Sequence, residues 1–274
     1  MPPRSSAATE LTVFTMRACD QSGRGTAGAL SLGDELAARL GVPAIQVAEA
    51  DGTPVAPERD RESSGPSLAA LARRYEEIME MGATPVTAFS RCPTGLATLP
   101  VIAKHRPGTA QLWFDAHPDL NTPEGSATGY FGGLALSGPM GLWDSGLGEG
   151  VETSDVILIG IRDIDPPEGE VIDRLGITVV EPGPDLPGRL DAVLAGRPVY
   201  IHFDCDVLEP GIVPLDYEVP GGLDLETVRG AAEVIGHHEL VGVEIGEFEA
   251  SSEEEGEPAR LVDALEPAFA GLAS

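Results

Sequence analysis

Lysine is nearly absent from this sequence. Lys104 is the only one, and every other basic residue is arginine. Lysine and arginine together number 17 against 45 acidic residues, for a formal net charge of −28. So acidic a chain repels nucleic acid and anionic membrane surfaces, and neither is expected as a partner. Cysteine is equally sparse. Cys19, Cys92 and Cys205 are an odd set, which points to reduced thiols and excludes a disulfide framework. No apolar run is long enough for a transmembrane helix, and the opening MPPRSSAATE has no signal-peptide core. A cytoplasmic location is expected. Aromatic residues make up only 5%, yet hydrophobic residues reach 42%, enough for a sizeable core in 274 residues.

What is present is a regular alternation of apolar runs and amphipathic stretches. The pattern predicts strands over 10–16, 44–47, 85–89, 110–114, 155–161, 178–180, 199–203 and 240–245. Helices are predicted over 29–40, 67–81 (capped by Ser67), 96–105, 168–175, 186–195, 224–235 (capped by Asp224) and 260–270. The stretch 51–66 reads as an exposed loop, and 122–141, rich in Gly, Ser and Thr, as largely irregular. The charge run 251–257 reads as a solvated loop that could rim a site. Strands alternating with helices imply parallel βαβ units, and continuously apolar strands fit burial on both faces. The expectation is one α/β domain over 1–274, with a mostly parallel sheet between helix layers. Ligands of such sheets sit beyond the carboxyl ends of the strands.

Two of those ends carry the chemistry. The run 110–114 stops at Asp115-Ala-His117-Pro-Asp119, and 199–203 stops at Asp204-Cys205-Asp206. Alternate residues of an extended segment point the same way, so each cluster can converge on one point. Oxygen-rich donors with one imidazole suit hard or borderline cations such as Mn²⁺. Four carboxylates and one imidazole exceed what a single ion needs. They suit two ions at the ~3.5–4 Å separation of paired hydrolytic metals. His202 lies in phase with Asp204 and Asp206 but reads first as a satisfied core histidine. Cys205 lies out of phase and reads as core.

These motifs resemble those of the arginase/agmatinase ureohydrolases. DAHPDLNTP is similar to their Asp-Ala-His-x-Asp-x-Asn motif and HFDCDVLEP to Ser-x-Asp-x-Asp-x-x-Asp-Pro. IGIRDIDPPE, at 159–168, looks like Gly-x-Arg-Asp-x-Asp-x-x-Glu. The resemblance implies a three-layer arginase-like fold and two Mn²⁺ ions acting on a small guanidino substrate. It implies Asp115 and Asp204 as bridging ligands, Asp119 completing one ion, and His117 with Asp206 the other. It places Asn121, Ser126 and Thr128 at the substrate carboxylate, Asp165 and Glu168 at its α-amino group, and Glu247 at the guanidinium. Asp119 is the candidate to hold the transferred proton.

Two departures stand out. Where the family has Gly-Gly-Asp-His-Ser, this chain has Ser90-Arg91-Cys92-Pro93-Thr94, so Cys92 falls on a metal-binding histidine. A thiolate can take that role, though it favours Zn²⁺ or Fe²⁺ over Mn²⁺. Where arginases carry a proton-shuttling histidine, this chain reads Gly129-Tyr130-Phe131-Gly132-Gly133, with Tyr130 at a substrate-binding position. Both departures resemble the Nω-hydroxy-L-arginine hydrolase branch. Loss of a proton donor usually costs ~10²–10⁴-fold, which a less basic hydroxyguanidine tolerates better than a guanidinium. The rivals are an ordinary arginase or agmatinase, a one-zinc deacetylase of related fold, and a non-catalytic metal-binding protein. The C-terminal Gly-Leu-Ala-Ser follows closely on the last predicted helix. Trimeric arginases assemble through an extension there, so a monomer is expected.

Overall fold

The computed structural model describes residues 8–47, 59–250 and 257–272. Its centre is a single sheet of eight strands. They are β1 (Thr9–Phe14), β2 (Ala44–Val47), β3 (Thr84–Phe89), β4 (Ala110–Phe114), β5 (Val156–Ile159), β6 (Thr178–Val180), β7 (Val199–Asp204) and β8 (Leu240–Gly246). The order is β2-β1-β3-β8-β7-β4-β5-β6, and every pairing is parallel. The central strands β3, β4 and β7 are buried at every residue, as expected where helices cover both faces.

One face packs α1 (Arg24–Leu40), α5 (Leu186–Leu194), α6 (Leu225–Ile235) and α7 (Glu257–Phe269), through residues such as Leu32, Leu190, Ala231 and Leu261. The other packs α2 (Asp60–Glu80), α3 (Gly95–His105) and the apolar side of α4 (Pro166–Leu175), through Leu71, Leu99 and Ile172. The sheet with its two helix layers is the three-layer arrangement expected.

The largest departures from the predicted bounds are the early starts of α1 and α2. α1 starts at Arg24, because Gly25 and Gly28 read as loop but serve close packing. A Cβ on Gly28 would lie 1.7 Å from the Phe248 carbonyl oxygen. α2 starts at Asp60, within the stretch read as loop, and carries Pro66 inside it. Ser67 is therefore interior to the helix and caps nothing. Asp60 and Glu62 occupy the first turn, where acidic side chains suit the helix dipole. Asp224 caps α6 as expected, accepting the Thr227 amide at 2.7 Å. The segment 122–141 holds only a short 3₁₀ turn, Gly132–Leu134. Most of the acidic run 251–257, expected at a rim, lies outside the described residues.

All eight carboxyl ends face one rim. The four adjacent strands β3, β8, β7 and β4 therefore deliver Cys92, Glu247, Asp204 and Asp115 side by side.

Candidate metal centre

Strand β4 delivers Asp115 almost fully buried. One carboxylate oxygen accepts the Trp113 indole N–H at 3.0 Å and the other the His117 amide at 2.6 Å. From β7, Asp206 Oδ1 accepts the Ala116 amide at 2.9 Å, which locks the two clusters together. His117 Nδ1 lies 2.9 Å from Asp206 Oδ2 and 3.3 Å from Asp115 Oδ1. Asp204 Oδ1 accepts the Asp206 amide at 2.7 Å, and Oδ2 accepts the Cys92 thiol at 2.9 Å. Cys92 sits in a short 3₁₀ turn directly after β3, entirely enclosed. The ligand atoms gather in overlapping groups within 4.8 Å, among them Asp115–His117–Asp206 and Cys92–Asp204–Glu247.

Electrostatics of the cluster call for cations. Burial first, and then one another's charge, push the Asp115, Asp119 and Asp204 carboxyls well above their ordinary range. Asp206 feels the same burial, but His117 outweighs it and holds that carboxyl low. Burial and Asp204 raise the Cys92 thiol. Asp119 Oδ2 is buried with no hydrogen-bond partner among the described residues. Such groups stay charged only beside opposite charge, and divalent cations would oppose the upward shifts of Asp115, Asp119, Asp204 and Cys92. The donor set fits a pair of divalent ions.

Above the cluster opens a cavity of about 870 Å³. Cys92, His117, Asp119, Asp204, Asp206 and Glu247 line its floor, and Asp115 lies just beneath. Asn121, Ser126, Thr128, Tyr130, Asp165 and Glu168 line its walls, so every residue expected at the site is brought together. Ser126 and Thr128 hold their own turn, accepting the amides of Gly129 and Tyr130 at 3.0 and 3.2 Å. Glu168 is engaged on both oxygens. One accepts the Leu120 amide at 2.9 Å, and the other the Asp165 amide at 3.0 Å, in a capping box at the start of α4. Asp165 is the more open of the pair and accepts Asn121 Nδ2 at 3.0 Å.

Sequence reading assigned no role to Arg91, the largest charged side chain in the core, which is wholly buried. Its guanidinium reaches Glu247 Oε2 at 2.5 Å, Glu249 Oε1 at 2.9 Å, Asp20 Oδ1 at 3.2 Å and Asp216 Oδ2 at 3.3 Å. Glu247 Oε1 accepts the Cys92 amide at 2.8 Å. The acid expected to grip a guanidinium thus already holds one from the protein. Gly25 makes room for it, since a Cβ there would lie 2.9 Å from Arg91 Nε. Tyr217, from the Pro-rich loop after β7, was also missed. Its ring stands 5.6 Å from Tyr130 and 6.1 Å from His117, at the cavity wall.

A family model described as the arginase family matches residues 27–265. This chain belongs to the arginase family. Among curated relatives of that family, it is 39% identical over 211 residues to N(omega)-hydroxy-L-arginine amidinohydrolase of Streptomyces lavendulae, covering 76% of this chain and 77% of the relative. It is 28% identical over 193 residues to an arginase of Bacillus caldovelox, 62% of either protein. The native structure of the B. caldovelox arginase superposes with a TM-score of 0.80 at 22% identity, covering 96% of this chain and 98% of that one. Proclavaminate amidino hydrolase from Streptomyces clavuligerus gives a TM-score of 0.73 at 18% identity, over 99% and 94% of the two chains. These structures share the arginase fold. As for membranes, no helix among the described residues is long and apolar enough to cross one.

Proposed function

We propose that this arginase-family chain is a binuclear, manganese-dependent amidinohydrolase. It cleaves a guanidino C–N bond of an arginine-like amino acid, with Nω-hydroxy-L-arginine preferred to arginine. The observation that carries this reading is the floor of the cavity. Four aspartates, His117 and Cys92 converge there beneath a wall that has tyrosine and glycines where arginases carry a proton-shuttling histidine. The relative from S. lavendulae, whose name specifies the hydroxylated substrate, supports it.

In this reading Asp115, Asp119, Asp204, Asp206, His117 and Cys92 would hold the two ions. Divalent cations, when bound, supply Lewis acidity and activate water at neutral pH. The chain's own residues do the rest. Asn121, Ser126 and Thr128 orient the substrate carboxylate, and Asp165 meets the α-amino group. Glu168 buttresses Asp165 and Leu120 from behind. Water adds to the guanidino carbon, and the bond to the side-chain nitrogen breaks. The leaving amine takes a proton released by the attacking water and carried by Asp119, whose Oδ2 makes no hydrogen bond among the described residues. The products are ornithine and hydroxyurea.

Two features favour the hydroxylated substrate. Tyr130 and glycines stand at the sequence position of the arginase shuttle histidine, and both Glu247 oxygens are occupied by Arg91 and the Cys92 amide. A bidentate grip on a cationic guanidinium needs both oxygens. An N-hydroxyguanidine is less basic and brings its own proton donor. The test is ornithine release by Mn²⁺-loaded protein from Nω-hydroxy-L-arginine, L-arginine and agmatine. The hydroxylated compound should turn over fastest. Faster hydrolysis of arginine, or full metal occupancy with no hydrolysis of any of the three, removes this reading. The chain is expected to act in the cytoplasm.

A further inference from the structure

One buried histidine has no part in the ligand set above. His202 is 1% exposed and lies on β7 in phase with Asp204 and Asp206. A core histidine usually has both nitrogens satisfied by the fold. Here Nδ1 meets Glu244 Oε1 at 2.6 Å, while Nε2 points to the Cys92 sulfur at 3.6 Å. Glu244 accepts on its other oxygen as well, from the Tyr200 hydroxyl at 2.8 Å. A carboxylate accepting on both oxygens makes Nδ1 the donor, and in that tautomer the Nε2 lone pair faces the cluster. The Cys92 thiol already donates to Asp204, so it does not satisfy that lone pair. The ring is fixed in place by stacking on Trp113, with centroids 3.6 Å apart and planes within 2°.

A carboxylate on one imidazole nitrogen, with the other aimed at anionic donors, is the usual setting of a metal-bound histidine. The spacing fits too. A metal–sulfur bond of about 2.3 Å and a metal–nitrogen bond of about 2.0–2.1 Å at a tetrahedral angle place the two donors about 3.5–3.6 Å apart. The observed separation is 3.6 Å. An Asp115 oxygen completes the group, with all three ligand atoms within 4.8 Å of one another.

We propose that His202 Nε2 is a metal ligand. Together with Cys92 Sγ and Asp115 it forms a sulfur- and nitrogen-rich position at the floor of the site, chemically distinct from the oxygen-rich His117–Asp115–Asp206 position. Thiolate with imidazole selects Zn²⁺ or a similar borderline cation, whereas the carboxylate-rich position suits Mn²⁺. The assignment rests on the reading of this cluster as a metal centre. It also gives the two motif departures a common sense. Cysteine stands where the family has histidine, and His202 stands where the family motif opens with serine. The imidazole has moved from the turn after β3 to β7.

The test needs no turnover. Full-length protein labelled with ¹⁵N-histidine is loaded with ¹¹³Cd²⁺, a thiophilic stand-in for Zn²⁺, and one-bond metal–nitrogen couplings are counted among its five histidines. Two coupled imidazoles are expected, His117 and His202. His117→Ala should leave one of them, and His202→Asn should abolish the other and weaken Zn²⁺ binding at least tenfold. Coupling to His117 alone in the unaltered protein overturns the assignment, whether or not His202→Asn folds. A protein that hydrolyses the hydroxyguanidine yet shows one coupled imidazole keeps its proposed function and loses this ligand. Absence of any bound cadmium overturns the metal centre as well.

Discussion

Replacing Arg91 by methionine removes a charge while nearly preserving length, and its cost can be worked through the four carboxylates it touches. Asp216 is 44% exposed and returns to water at little cost. Glu249 keeps Arg24 at 2.9 Å, and Asp20 keeps the Thr26 hydroxyl at 2.6 Å with the amides of Gly23, Gly25 and Thr26. Among the described residues Glu247 keeps only the Cys92 amide while remaining buried. The loss therefore concentrates on Glu247. Breaking a buried ion pair from one side costs about 3–5 kcal/mol, because the remaining charge has no partner. For a chain of this size that corresponds to a fall of about 6–20 °C in Tm. Burial already raises the Glu247 carboxyl, and Arg91 is the charge that opposes it. Adding Glu247→Gln removes the stranded charge and should restore about 0.5–3 kcal/mol relative to the single variant. Chemical denaturation of the metal-free single and double variants measures this directly. A single variant less than about 1 kcal/mol below the parent, or a double variant no better than the single, refutes the reasoning.

Three further outcomes follow from the same geometry. Burial pushes the Asp20 carboxyl up, but Thr26 and Arg91 outweigh it and hold it below its ordinary value. A depressed carboxyl gives stability that is present above its unfolded value and lost as pH falls through its folded one. Thr26→Ala should therefore move the acid-unfolding midpoint to higher pH, and an unchanged midpoint counts against the assignment. Gly28→Ala should destabilise by about 1–3 kcal/mol through its clash with Phe248, whereas Gly65→Ala in α2, with open space around it, should be neutral or stabilise by up to about 1 kcal/mol. Thermal scans of the two variants side by side separate clash from helix propensity. Mn²⁺ at about a hundredfold over its Kd should stabilise by about 2.7 kcal/mol, or about 5–11 °C, relative to chelator-treated protein. A Tm indifferent to both would remove the metal centre.

The site's floor was legible in the sequence for a physical reason. In an all-parallel sheet the carboxyl ends share one rim, so acidic clusters placed directly after apolar strands must meet. Asp115, His117, Asp119, Asp204 and Asp206 were found that way, and Cys92 only through the family resemblance. Arg91 was not, because the carboxylates that make its burial tolerable come from positions 20, 216, 247 and 249, on segments that only the fold assembles. Glu168 was legible as a site residue, but its capping box and its hold on Leu120 were not. His202 read as core because its phase with the ligands does not reveal which nitrogen Glu244 occupies. The early starts of α1 and α2 were hidden by glycines and Pro66, whose local meaning is loop. At Gly28 tertiary contact with Phe248 overrides it.

Asp119 has a second attachment besides its carboxylate. Its backbone sits in the left-handed region at φ 51°, and its carbonyl accepts the amides of Leu136 and Ser137 at 3.1 and 3.2 Å. Asn121 then closes the same segment through its amide to Gly133, at 3.0 Å. The stretch that faces the substrate is thus rooted in the main chain of a candidate metal ligand. Specificity and metal geometry here are not separable modules. A graft that moves substrate preference between members of this fold would have to carry 119–137 as one piece, and evolution would have faced the same constraint.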